Sequence, residues 1–389
     1  MNRIIISSIL SVFLVMLLAL NSCESSTKVV GPVPVIPVES GELMPLGELV
    51  DSIQYVFLQT SSDYVVANVD KLVVSDRNIF VLDKEILESL FIFNKTGQVL
   101  NIMEVGLGGP EEFTSLDDFD YDSVKDLIYI LNNDRQRLLS YTFQGELVKS
   151  YQLDFYAEKF KVSNGKAVFY RNNELYSSDK YENNQLIVYD LEKEEVSSMH
   201  LPLVEEIRYR AFHDSVDPFD VDVNLFFNQS LNDTIYTLTE NGLNPVYRID
   251  FGTKSYSKIA SQIQGIEEFL YSERRQESRY TMGDLLVNNR YLISLFYSGE
   301  RYAYVFYDKR NAKARTMPGF KNDIDEIPVL YLKALEENFM ISVLPGEYIN
   351  GYLDSKEGSE LTETERYLQQ GLQNTFQNPV LQILYFKSE

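Results

Sequence analysis

An all-β fold built from repeated four-stranded antiparallel units is predicted by three features of the 389-residue sequence. The first is composition: 27 Tyr and 23 Phe with no Trp favour pleated, half-buried surfaces, on which flat rings pack well. The second is an internal repeat. "NIFVLDKEILESLFIFNKTGQVL", Asn78 to Leu100, aligns without a gap on "DLIYILNNDRQRLLSYTFQGELV", Asp126 to Val148, pairing Ile79 with Leu127, Leu90 with Leu138, Phe93 with Tyr141 and Gly97 with Gly145. The same step leads from Leu138 to Leu186, from Tyr141 to Tyr189 and from Val148 to Val196 in "LIVYDLEKEEV". The third is turn grammar. Short runs of Ile, Val, Phe, Tyr and Leu are broken by polar turns such as Asn132-Asn133-Asp134 and Thr96-Gly97, as antiparallel hairpins require.

Three more units complete the series. "TIYTLTENGLNPVYRI", with Gly242, is the fourth, and "YVFYDKRNAKAR" from Tyr304 belongs to the fifth. The last is split, with "PVLYLKALEENFMISVL" for inner strands and "NPVLQILYFK", Asn378 to Lys387, for an outer one. Four strands repeating every roughly 40 to 50 residues predict a β-propeller, here six-bladed. The strand "IQYVFLQT", Ile53 to Thr60, is left over and is expected to close the ring by joining the final blade. Two stretches break the pattern. Ser257 to Ser278 has apolar residues at helical spacing, and Ser359 to Phe376 reads as a helix opened by a Thr362 to Glu365 capping box. Both are expected as insertions on one rim.

The N-terminus is of a different kind. Met1-Asn2-Arg3 is followed by an uninterrupted apolar run, Ile4 to Leu20, and then by Leu20-Asn21-Ser22-Cys23, which holds the only cysteine of the chain. This resembles a bacterial lipoprotein signal, which implies cleavage before Cys23 and acylation of that residue. The expected organisation is a signal peptide over 1–22, a lipidated N-terminus and flexible tether over 23–45, and the propeller over 46–389. A single cysteine excludes an intrachain disulfide. The net charge of −23 repels nucleic acid and anionic lipid surfaces, and favours cationic or neutral partners.

"EVGLGGPEEF", Glu104 to Phe113, looks at first like a phosphate cradle. A dinucleotide fingerprint fails because Glu111 occupies the third glycine position, and a Walker A loop fails for want of Lys-Ser/Thr. The residues C-terminal to the loop are acidic, Asp117 and Asp118 among them. Gly106, Gly108 and Gly109 instead lie where the chain returns from the edge of unit one to the centre of unit two, a path that calls for positive φ; Pro110 then fixes the exit and Phe113 pins the loop. Gly109-Pro110-Glu111-Glu112-Phe113 resembles the Gly-Pro-Gly-Glu-Tyr/Phe loop of the six-bladed propeller lipoproteins of Bacteroides-type bacteria, relatives in shape of the NHL-repeat propellers. Asn378-Pro379-Val380-Leu381 resembles their usual closing strand. The resemblance implies the fold and an envelope location, and brings no assigned activity.

Candidate chemistry is sparse. With only His200 and His213, a multi-histidine zinc site is excluded, and neither histidine lies in a nucleophile turn. Asp118, Asp120 and Asp122, and likewise Asp220, Asp222 and Asn224, alternate along inner strands, so each set shares a face able to meet a structural Ca²⁺. Solvated rim residues give the same pattern, and the calcium-loop signature fails at Ser123 and Tyr129. Asp51-Ser52-Ile53, Asp122-Ser123-Val124, Asp214-Ser215-Val216 and Asp233-Thr234-Ile235 resemble O-glycan acceptor sites of these bacteria. The sequence thus leads to a monomeric outer-membrane lipoprotein, facing the periplasm or the cell surface, that binds a peptide, a glycan or an envelope protein and needs no cofactor. The alternative is a carbohydrate hydrolase or lyase using carboxylates at the channel mouth.

Overall fold

The computed structural model describes residues 32–59, 64–172, 181, 184–202, 217–259, 266–271, 273–356, 360–373 and 378–388. The expected signal peptide, Cys23 and His213 lie outside these residues. Six sheets form blades 1 to 6, over 71–104, 118–152, 159–202, 219–250, 279–317 and 331–386, the last completed by Val50–Phe57. Each blade is a four-stranded antiparallel meander whose first strand lines the centre. The predicted six-bladed propeller is the observed fold.

Burial explains why the middle strands read as continuous apolar runs. In Asn78–Asp83, Ile79 and Val81 pack towards blade 6, while Phe80 and Leu82 pack towards blade 2. Successive side chains leave opposite faces of a strand, and here both faces are covered by a neighbouring blade. The outer strands alternate instead, as in Leu147–Gln152, because they sit at the solvent-exposed rim of the blade. Every one of the six blade junctions has its own apolar cluster, so the core is a ring of interfaces. Gly97 and Gly145, matched in the sequence repeat, share φ values of +84° at equivalent hairpins. A Cβ on Gly97 would stand 2.0 Å from the Phe57 carbonyl oxygen.

The ring closes as the leftover strand predicts. Val50–Phe57 pairs antiparallel with Val380–Phe386, with Val56 opposite Leu381. The sequence upstream behaves differently from the expected tether. Val35–Pro37 runs parallel to Arg248–Asp250 as a fifth strand of blade 4, and Met44–Pro45 pairs with Phe320–Lys321. The reason is Ile36, fully buried on Ile235, Ile249 and Phe251. Prolines suit this position, because an edge strand leaves its outward N–H groups unbonded.

Strand alternation fixes where the longer connections go. Links from one blade to the next (such as 105–117, 153–158 and 318–330) and links from second to third strand (such as 133–136) leave the same face. We call it the insertion face. The hairpins of the opposite face are tight, such as 75–77, 164–165 and 240–241. On the insertion face, the link 251–278 contains the short helices Tyr256–Ile259, Ile266–Tyr271 and Glu273–Glu277, with Phe269 wedged between Tyr256 and Tyr280. Glu363–Leu372 is the second expected helix. Its Thr362–Glu365 capping box is complete, and burial of the Glu365 carboxyl is outweighed by bonds from Lys356, the Thr362 N–H and Tyr352, which hold its pKa at about 2. A further helix, Gly346–Asp354, packs on it through Ile349, Leu353, Leu368 and Leu372.

Candidate functional site

The glycine loop contains an anion already. Glu112 Oε2 accepts the Gly108 and Gly109 N–H groups at 2.9 and 2.7 Å, so the backbone concavity that could hold a phosphate is filled by the chain's own carboxylate. These backbone bonds hold the Glu112 carboxyl below its ordinary pKa. Of the three glycines only Gly108 has positive φ, at +102°. Gly106 and Gly109 serve close approach instead, since a Cβ on them would meet the Glu112 carboxyl carbon at 2.6 and 3.2 Å. Pro110 opens the turn, and buried Phe113 packs edge-on against Tyr141, whose hydroxyl donates to the Glu111 carbonyl.

The alternating acids are drawn apart by different partners. Asp118 accepts Lys71 Nζ at 3.2 Å and the Phe160 N–H at 2.9 Å; Asp120 accepts Lys161 Nζ at 2.9 Å and the Val162 N–H at 2.7 Å. Both therefore stitch the inner strand of blade 2 to that of blade 3, bonding N–H groups that no ladder reaches. Asp122 caps the hairpin at Val124 and Lys125. Asp220 does for blades 4 and 5 what Asp120 does for blades 2 and 3, taking the Val287 N–H at 2.5 Å; burial pushes its carboxyl up to about 7. Asp222 pairs with Lys309 at 3.2 Å, and Asn224 is exposed in the same hairpin. Among the described residues no group of three or more His, Cys, Asp or Glu side chains is placed to hold a metal ion. His200 bonds Ser198 Oγ on the outer strand of blade 3, and burial lowers its pKa.

A different set of residues converges at the insertion-face end of the centre. There a cavity of about 160 Å³ opens between blades 5, 6 and 1. Asp70, Lys71 and Asp217 form its channel wall, while Leu285, Leu286, Ile293, Leu295 and Leu332 extend it between blades 5 and 6. The charges of the wall are structurally committed. Asp70 accepts the Lys84 and Glu85 N–H groups and the Asn68 amide; Asp217 accepts the Phe219 N–H and Lys71 Nζ. Burial works to lower the Lys71 pKa, but Asp118, Asp217 and Asp120 outweigh it and keep the amine protonated.

The backbone singles out two further groups. Four of the six inner strands pair with their neighbours in regular register. The exceptions are adjacent: Arg279–Val287 in blade 5 shifts register between Thr281 and Leu285, and Tyr331–Leu335 in blade 6 shifts between Leu332 and Ala334. The residues set out of register include Asp284 and Lys333, and both line the cavity. A bulge re-aims a side chain, and two bulges here bring a carboxylate and an amine to one space. Gly283, with φ +107° and a would-be Cβ 2.9 Å from the Asn228 carbonyl oxygen, makes the first bulge feasible. Burial lowers the Lys333 pKa against the attraction of Asp284. Tyr297, Tyr302, Tyr304 and Tyr331 complete the lining, Tyr302 and Tyr331 being 38% and 51% exposed with ring centroids 6.3 Å apart.

None of these cavity residues was a candidate from sequence. Gly283 was the available signal, an isolated glycine inside the strand run "RYTMGDLLV". With this geometry in place, comparison with known proteins is informative about fold. Residues 33–385 match the family described as "Domain of unknown function (DUF4934)". The chain belongs to the DUF4934 family. No curated protein matches the sequence. Among solved structures, this DUF4934 chain is similar to a Bacteroides fragilis protein described as exported, with 17% identity and a TM-score of 0.71 over 91% of this chain and 100% of the other. It is also similar to a member of the DUF4221 family from Bacteroides vulgatus, with 11% identity and a TM-score of 0.51 over 87% and 97% of the two chains. Among the described residues of the DUF4934 chain no helix is long and apolar enough to cross a membrane.

Proposed function

We propose that this protein is an exported, lipid-anchored module of the cell envelope that binds a small ligand, or a small group projecting from a larger partner, in the cavity between blades 5, 6 and 1. The observation that carries this reading is the pair of adjacent inner-strand bulges, which set Asp284 and Lys333 into one cavity. Bulges interrupt ladder bonds and persist where they serve a purpose, so two in neighbouring strands that meet at a cavity favour a ligand site. The cavity opens on the face from which the longer connections leave. Export is favoured by the N-terminal sequence ending at Cys23 and by the description of the Bacteroides fragilis protein of similar fold.

Binding is favoured over hydrolysis or elimination because Asp70, Asp118, Asp120 and Asp217 are each occupied by N–H donors, the last three by lysines as well, leaving no opposed pair of carboxyls among them to act as acid and base. The test is a thermal-shift screen of the purified protein against a small-molecule library, repeated on an Asp284→Ala, Lys333→Ala double variant. Hits are expected to raise the wild-type Tm and to lose that effect in the variant. Hits that stabilise both proteins equally would place binding elsewhere.

A further inference from the structure

Resting on that reading of the cavity, we infer that its ligand is a single neutral saccharide ring, with one apolar face against Tyr331 and Tyr302 and its hydroxyl groups turned to the charged channel wall. Size, charge and surface each point to this class. A cavity of about 160 Å³ lies below the roughly 300 to 1,000 Å³ of sites for drug-sized molecules, so one ring fits and a folded oligomer does not. The charges inside are balanced in place. Lys71 is shared between Asp118 and Asp217, and Lys333 Nζ donates to the Asp70 carbonyl at 3.4 Å, burial lowering its pKa against the attraction of Asp284. An entering ion would have to separate Lys71 from Asp118 or Asp217, leaving a charge buried and uncompensated, which is a severe cost. A hydroxyl group makes no such demand, because it donates to a carboxylate and accepts from an ammonium while the pair stays together.

The surface argument is independent of charge. Tyr302 and Tyr331, both lining the cavity, present partly exposed rings tilted 38° to each other. A cleft of aromatic faces above a leucine floor suits a ligand with one apolar C–H face and one polar edge. The net charge of −23 selects further against uronate or sulfated sugars.

The experiment is isothermal titration of the purified protein with methyl glycosides of glucose, galactose, mannose, xylose and N-acetylglucosamine, with galacturonate and with the zwitterionic dipeptide Ala-Phe, using wild type, Tyr331→Ala and Tyr302→Ala. Both tyrosines are exposed, so an unchanged Tm checks that the variants fold. The expected result is that at least one neutral glycoside binds and that its Kd rises about tenfold in Tyr331→Ala, the scale of one ring contact. Tyrosine-sensitive binding of galacturonate or Ala-Phe, with no neutral glycoside bound, overturns the saccharide assignment and leaves the cavity reading in place. A glycoside bound equally by wild type and both variants overturns the assignment and the cavity together. Failure of all five glycosides to bind overturns the assignment, and the library screen then judges the cavity alone.

Discussion

Buried carboxylates in this propeller act as cross-blade staples, and Asp220 shows what that costs. Its carboxyl is pushed from an ordinary 3.8 up to about 7 by burial, although it accepts the Val287 and Val221 N–H groups. Below about pH 4 the residue is protonated whether the chain is folded or not. As pH rises towards 7 the unfolded chain releases this proton first, so the contribution of Asp220 to stability falls across that window. Asp220→Asn removes the titration. Urea midpoints are expected to show the variant gaining on wild type between pH 4 and pH 8; a constant difference would mean that Asp220 does not titrate in that range. The alternation of Asp118, Asp120 and Asp220 was visible in the sequence, and it placed them correctly on inner strands. Their partners were not visible, because Lys71, Phe160 and Val287 lie in other blades, far away along the chain.

Regular elements were legible where a local pattern decides them. The capping box at Thr362 and the paired glycines 97 and 145 are local patterns, and both appear as expected. Helix Gly346–Asp354 was missed because Pro345-Gly346 looks like a turn, and the helix is held by burial against Leu368 and Leu372. The strand Val35–Pro37 was hidden by its prolines, which suggest a spacer until Ile36 is seen under the edge of blade 4. At the candidate site only the Gly283 bulge had a readable sign; Lys333 sits in "YLKAL" with nothing to mark an extra residue. The bulge leads to a prediction at this scale. Gly283→Val places a branched side chain at φ +107°, against the Asn228 carbonyl, and is expected to cost about 1 to 3 kcal/mol in urea denaturation. An unchanged midpoint would mean that blade 5 can pair in regular register.

For the whole molecule, stability is distributed around six blade junctions, and the N-terminal segment adds to it three times, at blade 4, at the link after blade 5 and at blade 6. Ile36→Ala is expected to lower global stability by about 3 kcal/mol, as truncation of a fully buried isoleucine does. An unaltered urea midpoint would show that the fifth strand of blade 4 is decoration. Closure of blade 6 has a separate consequence, for the order of events during synthesis. The ribosome delivers Val50–Phe57 ahead of blade 1 and its partner Val380–Phe386 after every other blade strand, so the first of this pair must wait through the synthesis of five blades. Contacts of such separation are the slowest to form. Until Val380–Phe386 emerges, two sheet edges at the seam remain open to other chains.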